Sequence, residues 1–224
     1  MIDDRLAGWV CALVLMGALI VAARPRRRKD AWAAAALLVL YLLALVLAEG
    51  LLDGVIWTPV VAASAVWLAV QPLIGLGRLG RAELGLVPMQ PGSSRPAVVV
   101  TLLALAANVL VMWLRGAAPI VGPAVVISVV VAAVVEEFVV RGVLLAFADR
   151  ALPPRWRVAG ALLGPGGLLL TAAFVVLHGL RPGLLIGVAP AAVLYLWLRA
   201  RTGSLAAPIV AHALWNVSVV LMHI

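Results

Sequence analysis

The feature that most constrains this chain is a succession of apolar runs long enough to cross a bilayer. A spanning helix needs about 20 apolar residues, within a range of roughly 17 to 25. Eight stretches come near that length: 6–23, 31–48, 55–76, 97–114, 120–148, 158–178, 183–198 and 205–223. Strands of a membrane barrel would be shorter and would alternate apolar with polar residues. These runs are solidly apolar, and a helix satisfies its own backbone groups where no water is available. The expected fold is therefore all-α, a polytopic transmembrane helical bundle of about eight spans. Composition agrees: 66% of the 224 residues are hydrophobic and 12% are charged, whereas a soluble domain carries about a quarter charged residues. Lipid is the solvent, and the expected location is the cell membrane, multi-pass.

The formal charge of +8 does not imply a nucleic-acid partner, because the basic residues sit in short loops between the apolar runs. Arg24, Arg26, Arg27, Arg28 and Lys29 follow the first run. Arg78, Arg81 and Arg95 follow the third; Arg150, Arg155 and Arg157 the fifth; Arg199 and Arg201 the seventh. Arg5, Arg115 and Arg181 fall on the other side, and Arg141 lies within a run. By the positive-inside rule the richly basic loops are cytoplasmic and both termini are extracytoplasmic. The first run follows Asp3 and Asp4 and lacks the basic start of a signal peptide, so it reads as a retained span. Cys11, the single cysteine, supplies no disulfide framework and no thiolate metal site. The stretch 77–96 holds Pro88, Pro91, Gly92 and Pro96 and reads as a turn-rich cytoplasmic connection.

The chain divides by chemistry. Residues 1–118 carry few intramembrane polar groups (Ser64, Gln71 and Asn108) and read as scaffold helices; residues 119–224 form a core of four spans that holds the ionisable groups. The fifth run contains Glu136, Glu137 and Arg141. A charged side chain at mid-membrane costs about 2.5–3.5 kcal/mol on insertion scales, so three within six residues need compensation or a function. Glu137 and Arg141 stand at i and i+4, acid first, and can pair on one helix face. Glu136 lies about 100° around the helix from Glu137 and is left as the unpaired carboxylate. Phe174 and His178 close the sixth run one turn apart, and His212 and Asn216 share a face of the eighth.

Two imidazoles, a free carboxylate and an amide could meet in one cavity. There Glu136 would serve as general base for water, and imidazole and amide N–H groups would hold the oxyanion of a tetrahedral intermediate. Each group alone has a plainer reading. An intramembrane His or Asn is often an interhelical hydrogen-bond donor, Phe174 a packing aromatic, Glu137–Arg141 a structural pair, and His223 an interfacial residue. Their conjunction is what the plainer readings explain poorly.

In order, Glu136-Glu137-Phe-Val-Val-Arg141, Phe174-Val-Val-Leu-His178 and His212-Ala-Leu-Trp-Asn216 resemble the motifs of the CAAX protease and bacteriocin-processing (CPBP, Abi) family of intramembrane peptidases. The stretches 183–187 and 201–212 are also similar to that family, and the likeness covers about 124–220. The resemblance implies that Glu136 activates water, that His178, His212 and Asn216 bind and polarise the substrate carbonyl, and that Glu137 and Arg141 position Glu136 and the helices. The family has been described both as metal-dependent and as glutamate-type. His-Glu-x-x-His is absent here, and although two histidines and a glutamate could hold zinc with an open position, the metal-free mechanism is favoured and no cofactor is expected. A rhomboid-like Gly-x-Ser-Gly is also absent, and no run contains an aspartate.

The expected function is an intramembrane endopeptidase acting on a membrane-anchored peptide or protein, prenylated or not. Two alternatives use the same groups. In a proton-coupled transporter, buried Glu, Arg and His would form a relay, although paired repeats are not visible. A non-catalytic scaffold or immunity factor would keep the motifs for packing. One depth mismatch stands out: Glu136 lies mid-run while His178 ends its run. The break at Gly164-Pro165-Gly166-Gly167 is expected to resolve it by starting the helix proper near Leu168.

Overall fold

The computed structural model describes residues 4–51, 57–114 and 123–221. They form an antiparallel helical bundle: α1 (Asp4–Ala22), α2 (Arg28–Leu51, entered through a 3₁₀ turn at Pro25–Arg27), α3 (Trp57–Gly75) and α4 (Ser94–Leu114). A continuous rod follows, made of α5 (Pro123–Glu137), a π-helical stretch (Phe138–Leu144) and α6 (Leu145–Ala151). Then come α7 (Pro165–Leu177), α8 (Pro182–Thr202) and α9 (Ala206–Leu221). Among the described residues five helices are long and apolar enough to cross a membrane: Asp4–Ala22, Pro25–Glu49, Trp57–Gly75, Ser94–Leu114 and Pro182–Thr202. The rod carries Glu136, Glu137 and Arg141, and α7 and α9 are shorter apolar helices. His223 and Arg115 lie outside the described residues.

The bundle is dressed for lipid. Val21, Leu51, Leu68 and Ile186 are among many large apolar side chains turned outward, a surface that water would not tolerate. Between helices the contacts use small residues. Ala12, Ala31, Ala34, Ala62 and Ala63 are buried, and a Cβ on Gly8 of α1 would overlap the carbonyl of Val176 in α7. Without a hydrophobic drive between helices in lipid, such close backbone approach is the main source of cohesion.

Ion pairs tie together helix ends that the charge pattern assigns to the same side. At one end Arg5 pairs with Glu49 (3.2 Å) and Arg181 with Asp4 (2.6 Å). At the other, Arg150 pairs with Glu83 (2.6 Å) and donates to the Arg78 carbonyl (2.7 Å). Glu83 lies in the connection between α3 and α4. Burial raises its carboxyl, but the Gly80 N–H and Arg150 outweigh this and hold it below the usual carboxylate range. That connection is turn-rich as expected, with positive φ at Gly77, Gly85 and Gly92. It also closes the bundle's end, with Leu79 and Leu84 buried and Arg199 donating to the carbonyls of Ala82 and Glu83.

The sixth apolar run departs from expectation. Its first residues, with the two before them, form a two-stranded antiparallel hairpin, β1 (Trp156–Val158) and β2 (Ala161–Leu163). The turn has positive φ at Ala159 and Gly160, a geometry that suits hairpin twist. The helix then begins at Pro165, not near Leu168. Gly164 is extended at the N-cap and Pro165 occupies the first turn, where its missing N–H is not needed. A Cβ on Gly166 would overlap the Ala148 carbonyl, and one on Gly167 would crowd Leu196 and Leu145. These glycines let α7 pack directly on α6 and α8.

Candidate active site

Glu136 and Glu137 end α5 where the winding loosens. Across the π-helical turns the Leu145 N–H bonds to the carbonyls of Val140 and Gly142, while the Arg141 carbonyl accepts from Arg199 Nε (3.2 Å). Such inserts recur at functional sites because they re-aim side chains on an otherwise regular helix.

The two glutamates have different surroundings. Glu137 is fully buried. Its Oε1 accepts from Arg141 Nη1 (3.1 Å) and sits 2.9 Å from His212 Nδ1. Arg141 is buried as well. It donates to the Ala192 carbonyl (3.2 Å) and lies over the Phe174 ring, 4.1 Å from its centroid. Glu137 Oε2 has no hydrogen-bond partner. Glu136 keeps a quarter of its side chain accessible, and its Oε2 lies 3.9 Å from His212 Nε2.

His212 is clamped. Tyr195 stacks on it at 4.6 Å and 20°, and Phe174 meets it edge-on at 6.1 Å. With Nδ1 committed to Glu137, its Nε2 is the nitrogen that faces Glu136. His178 caps α7. Its Nδ1 donates to the Phe174 carbonyl (2.9 Å), which leaves Nε2 as the free nitrogen, and its ring sits edge-on to Phe174 at 4.7 Å. Glu136, Phe174 and His178 all line one cavity of about 660 Å³.

Asn216 is placed differently. It stands one turn beyond His212 on α9, where its amide donates to the Val129 carbonyl (3.4 Å) and joins α9 to α5. Among the described residues no group of three His, Cys, Asp or Glu is placed to hold a metal ion.

Three contributions were not read from sequence. Glu137 serves His212 as well as Arg141. Tyr195, with a buried and unpartnered hydroxyl, supports His212. The cavity wall also draws on helices from the N-terminal half, including Trp9, Leu42 and Tyr41. The chain has only two tyrosines, and both lie in apolar runs near these groups. A polar tip in a lipid-facing sequence was the available signal.

The fold and this cluster define a multi-pass membrane protein with a buried glutamate–histidine site between its helices. Residues 118–218 match the Rce1-like family model, described as type II CAAX prenyl endopeptidase Rce1-like. This stretch is thus similar to the CAAX protease family, which supports a membrane endopeptidase in general. No curated protein and no solved structure matches the chain.

Proposed function

We propose that the protein is an intramembrane endopeptidase in which Glu136 activates water to cleave a membrane-anchored polypeptide. The observation that carries this reading is the split between two adjacent carboxylates. Glu137 is consumed by Arg141 and His212, whereas Glu136 faces a cavity shared with His178.

Glu136 takes a proton from a water held beside His178 Nε2, and the oxygen bonds to the scissile carbonyl carbon. The carbonyl electron pair moves onto oxygen. His212, in its imidazolium form, turns the Nε2 proton towards that oxyanion while Glu137 holds Nδ1. Collapse breaks the C–N bond, and Glu136 returns its proton to the leaving amine. Asn216 would join the oxyanion contacts by releasing the Val129 carbonyl. No metal step is invoked. The same reading places both termini on the extracytoplasmic side, because thirteen basic residues crowd the opposite ends of the helices.

The test is Glu136→Gln in purified, reconstituted protein, assayed on membrane-tethered fluorogenic peptides with and without a prenylated cysteine. Cleavage should fall at least 100-fold, a typical loss for a missing general base, while the melting profile stays intact. Undiminished turnover in that variant removes Glu136 as the base.

A further inference from the structure

The two tyrosines of the chain stand in opposite situations. The Tyr195 hydroxyl is sealed in the interior without a partner. Tyr41, on α2, is 6% exposed and lines the cavity that holds Glu136 and His178. Its hydroxyl is not sealed off, and among the described residues no protein group hydrogen-bonds to it.

The position is a specific one. On this wall α2 presents Leu38, Tyr41, Leu42 and Leu45, the i, i+3, i+4, i+7 spacing of one helix face. The other three side chains are purely apolar, and a hydroxyl among them is costly unless it finds a partner. Across the cavity, α5 and the π-helical stretch present Ala132, Glu136 and Val140, each one turn from the next. The two elements run antiparallel, so the middle of one stripe, Glu136, comes level with the middle of the other, Tyr41 and Leu42. The Glu136 charge is close enough to act on the Tyr41 hydroxyl. Glu49, also on the α2 wall, is about 12 Å further along the axis.

The donors considered so far for the oxyanion stand elsewhere. His212 and Asn216 do not line this cavity. One nitrogen of His212 is committed to Glu137, and the Asn216 amide is spent on the Val129 carbonyl. A carbonyl carbon that receives water from Glu136 and His178 must hold its oxygen about 3 Å from a donor. On the wall facing Glu136 that donor is Tyr41, and a phenol keeps its proton at neutral pH.

We infer that Tyr41 is a further catalytic residue: its O–H donates to the carbonyl oxygen of the scissile bond, and this hydrogen bond strengthens as that oxygen becomes the oxyanion. This rests on the peptidase reading. The proton stays on the phenol oxygen throughout, and the oxyanion's electron pair re-forms the carbonyl when the C–N bond breaks. Tyr41 lies outside residues 118–218, the stretch similar to the CAAX protease family. The N-terminal helices therefore complete the site as well as support it.

The experiment compares the reconstituted full chain with Tyr41→Phe on membrane-tethered fluorogenic peptides. Removal of one oxyanion donor costs about 100- to 1,000-fold in kcat, so kcat should fall about 100-fold while KM stays within about threefold and the melting profile holds. A membrane-tethered peptide aldehyde, whose hydrate mimics the tetrahedral intermediate, should bind Tyr41→Phe at least about tenfold more weakly, with the affinity of the parent amide unchanged. A second measurement leaves the hydroxyl in place. With 3-fluorotyrosine incorporated, the fluorine signal missing from Tyr41→Phe belongs to Tyr41, and it should shift when the aldehyde binds. Glu136-dependent cleavage that Tyr41→Phe leaves undiminished, a rise in KM with kcat unchanged, or a Tyr41 signal that ignores the bound aldehyde would each overturn the role of Tyr41 and leave the peptidase reading standing. Absence of any Glu136-dependent cleavage in the unaltered chain would sink both.

Discussion

Glu137 sits at the junction of two roles, counter-ion to Arg141 and acceptor for His212, and a mutant cycle separates them. Both members of the ion pair are essentially inaccessible, so removing one strands the other in a low-dielectric interior. Arg141→Leu or Glu137→Leu alone should each cost about 3–5 kcal/mol. The double variant strands no charge, and replacing a buried pair by apolar side chains is often neutral or better. It still leaves the His212 Nδ1–H without its acceptor, worth about 1–3 kcal/mol. The double variant should therefore be more stable than either single. Thermal unfolding in detergent measures the three differences. Activity should separate from stability: the double variant should fold yet cleave at least tenfold more slowly, because the His212 ring is no longer held. The chain has three histidines, so ¹⁵N-histidine spectra can follow the tautomer directly, and the Nδ1–H signal of His212 should be lost or redistributed. A double variant with wild-type turnover and an unchanged His212 spectrum would refute the positioning role and leave Glu137 as a counter-ion only. Strictly additive losses would refute the pairing itself.

Tyr195→Phe keeps the ring that stacks on His212 and removes only an unpartnered hydroxyl, so activity should stay within about threefold, whereas Tyr195→Ala should lower kcat by tenfold or more and shift its pH profile; equal effects would show that stacking is not what matters. Asp149 lies just past the fifth apolar run, in the last turn of α6, where burial, partly offset by Arg199, pushes its carboxyl up to about 7. With the folded-state value above the unfolded one, the folded protein binds the extra proton between about pH 4 and 7, so stability is highest below that window and falls as pH rises through it. Asp149→Asn should flatten this dependence and raise the melting temperature more at pH 8 than at pH 5; parallel profiles would contradict it. Gly166→Ala must displace the Ala148 carbonyl and should destabilise by about 1–3 kcal/mol, readable as a lowered melting temperature; Gly183→Ala, with open space around it, is the neutral control.

What the sequence could determine follows from one-dimensional physics. Apolar run length against bilayer thickness yielded the helical bundle, and i,i+4 spacing yielded the Glu137–Arg141 pair, because both depend on local geometry alone. The break at Gly164–Gly167 was visible, but its position was not. Whether Val158–Leu163 joined the helix or folded back depended on α6 and α8, which accept α7 only where glycines leave room. That Glu137 holds His212 across 75 residues, that Tyr195 presses on the same ring, and that Asn216 reaches Val129 depend on how α5, α8 and α9 rotate against one another. Periodicity fixes which side chains share a face but not which face meets which. The cavity is likewise tertiary, since Trp9 and Tyr41 come near Glu136 only when α1 and α2 pack against α7 and the rod.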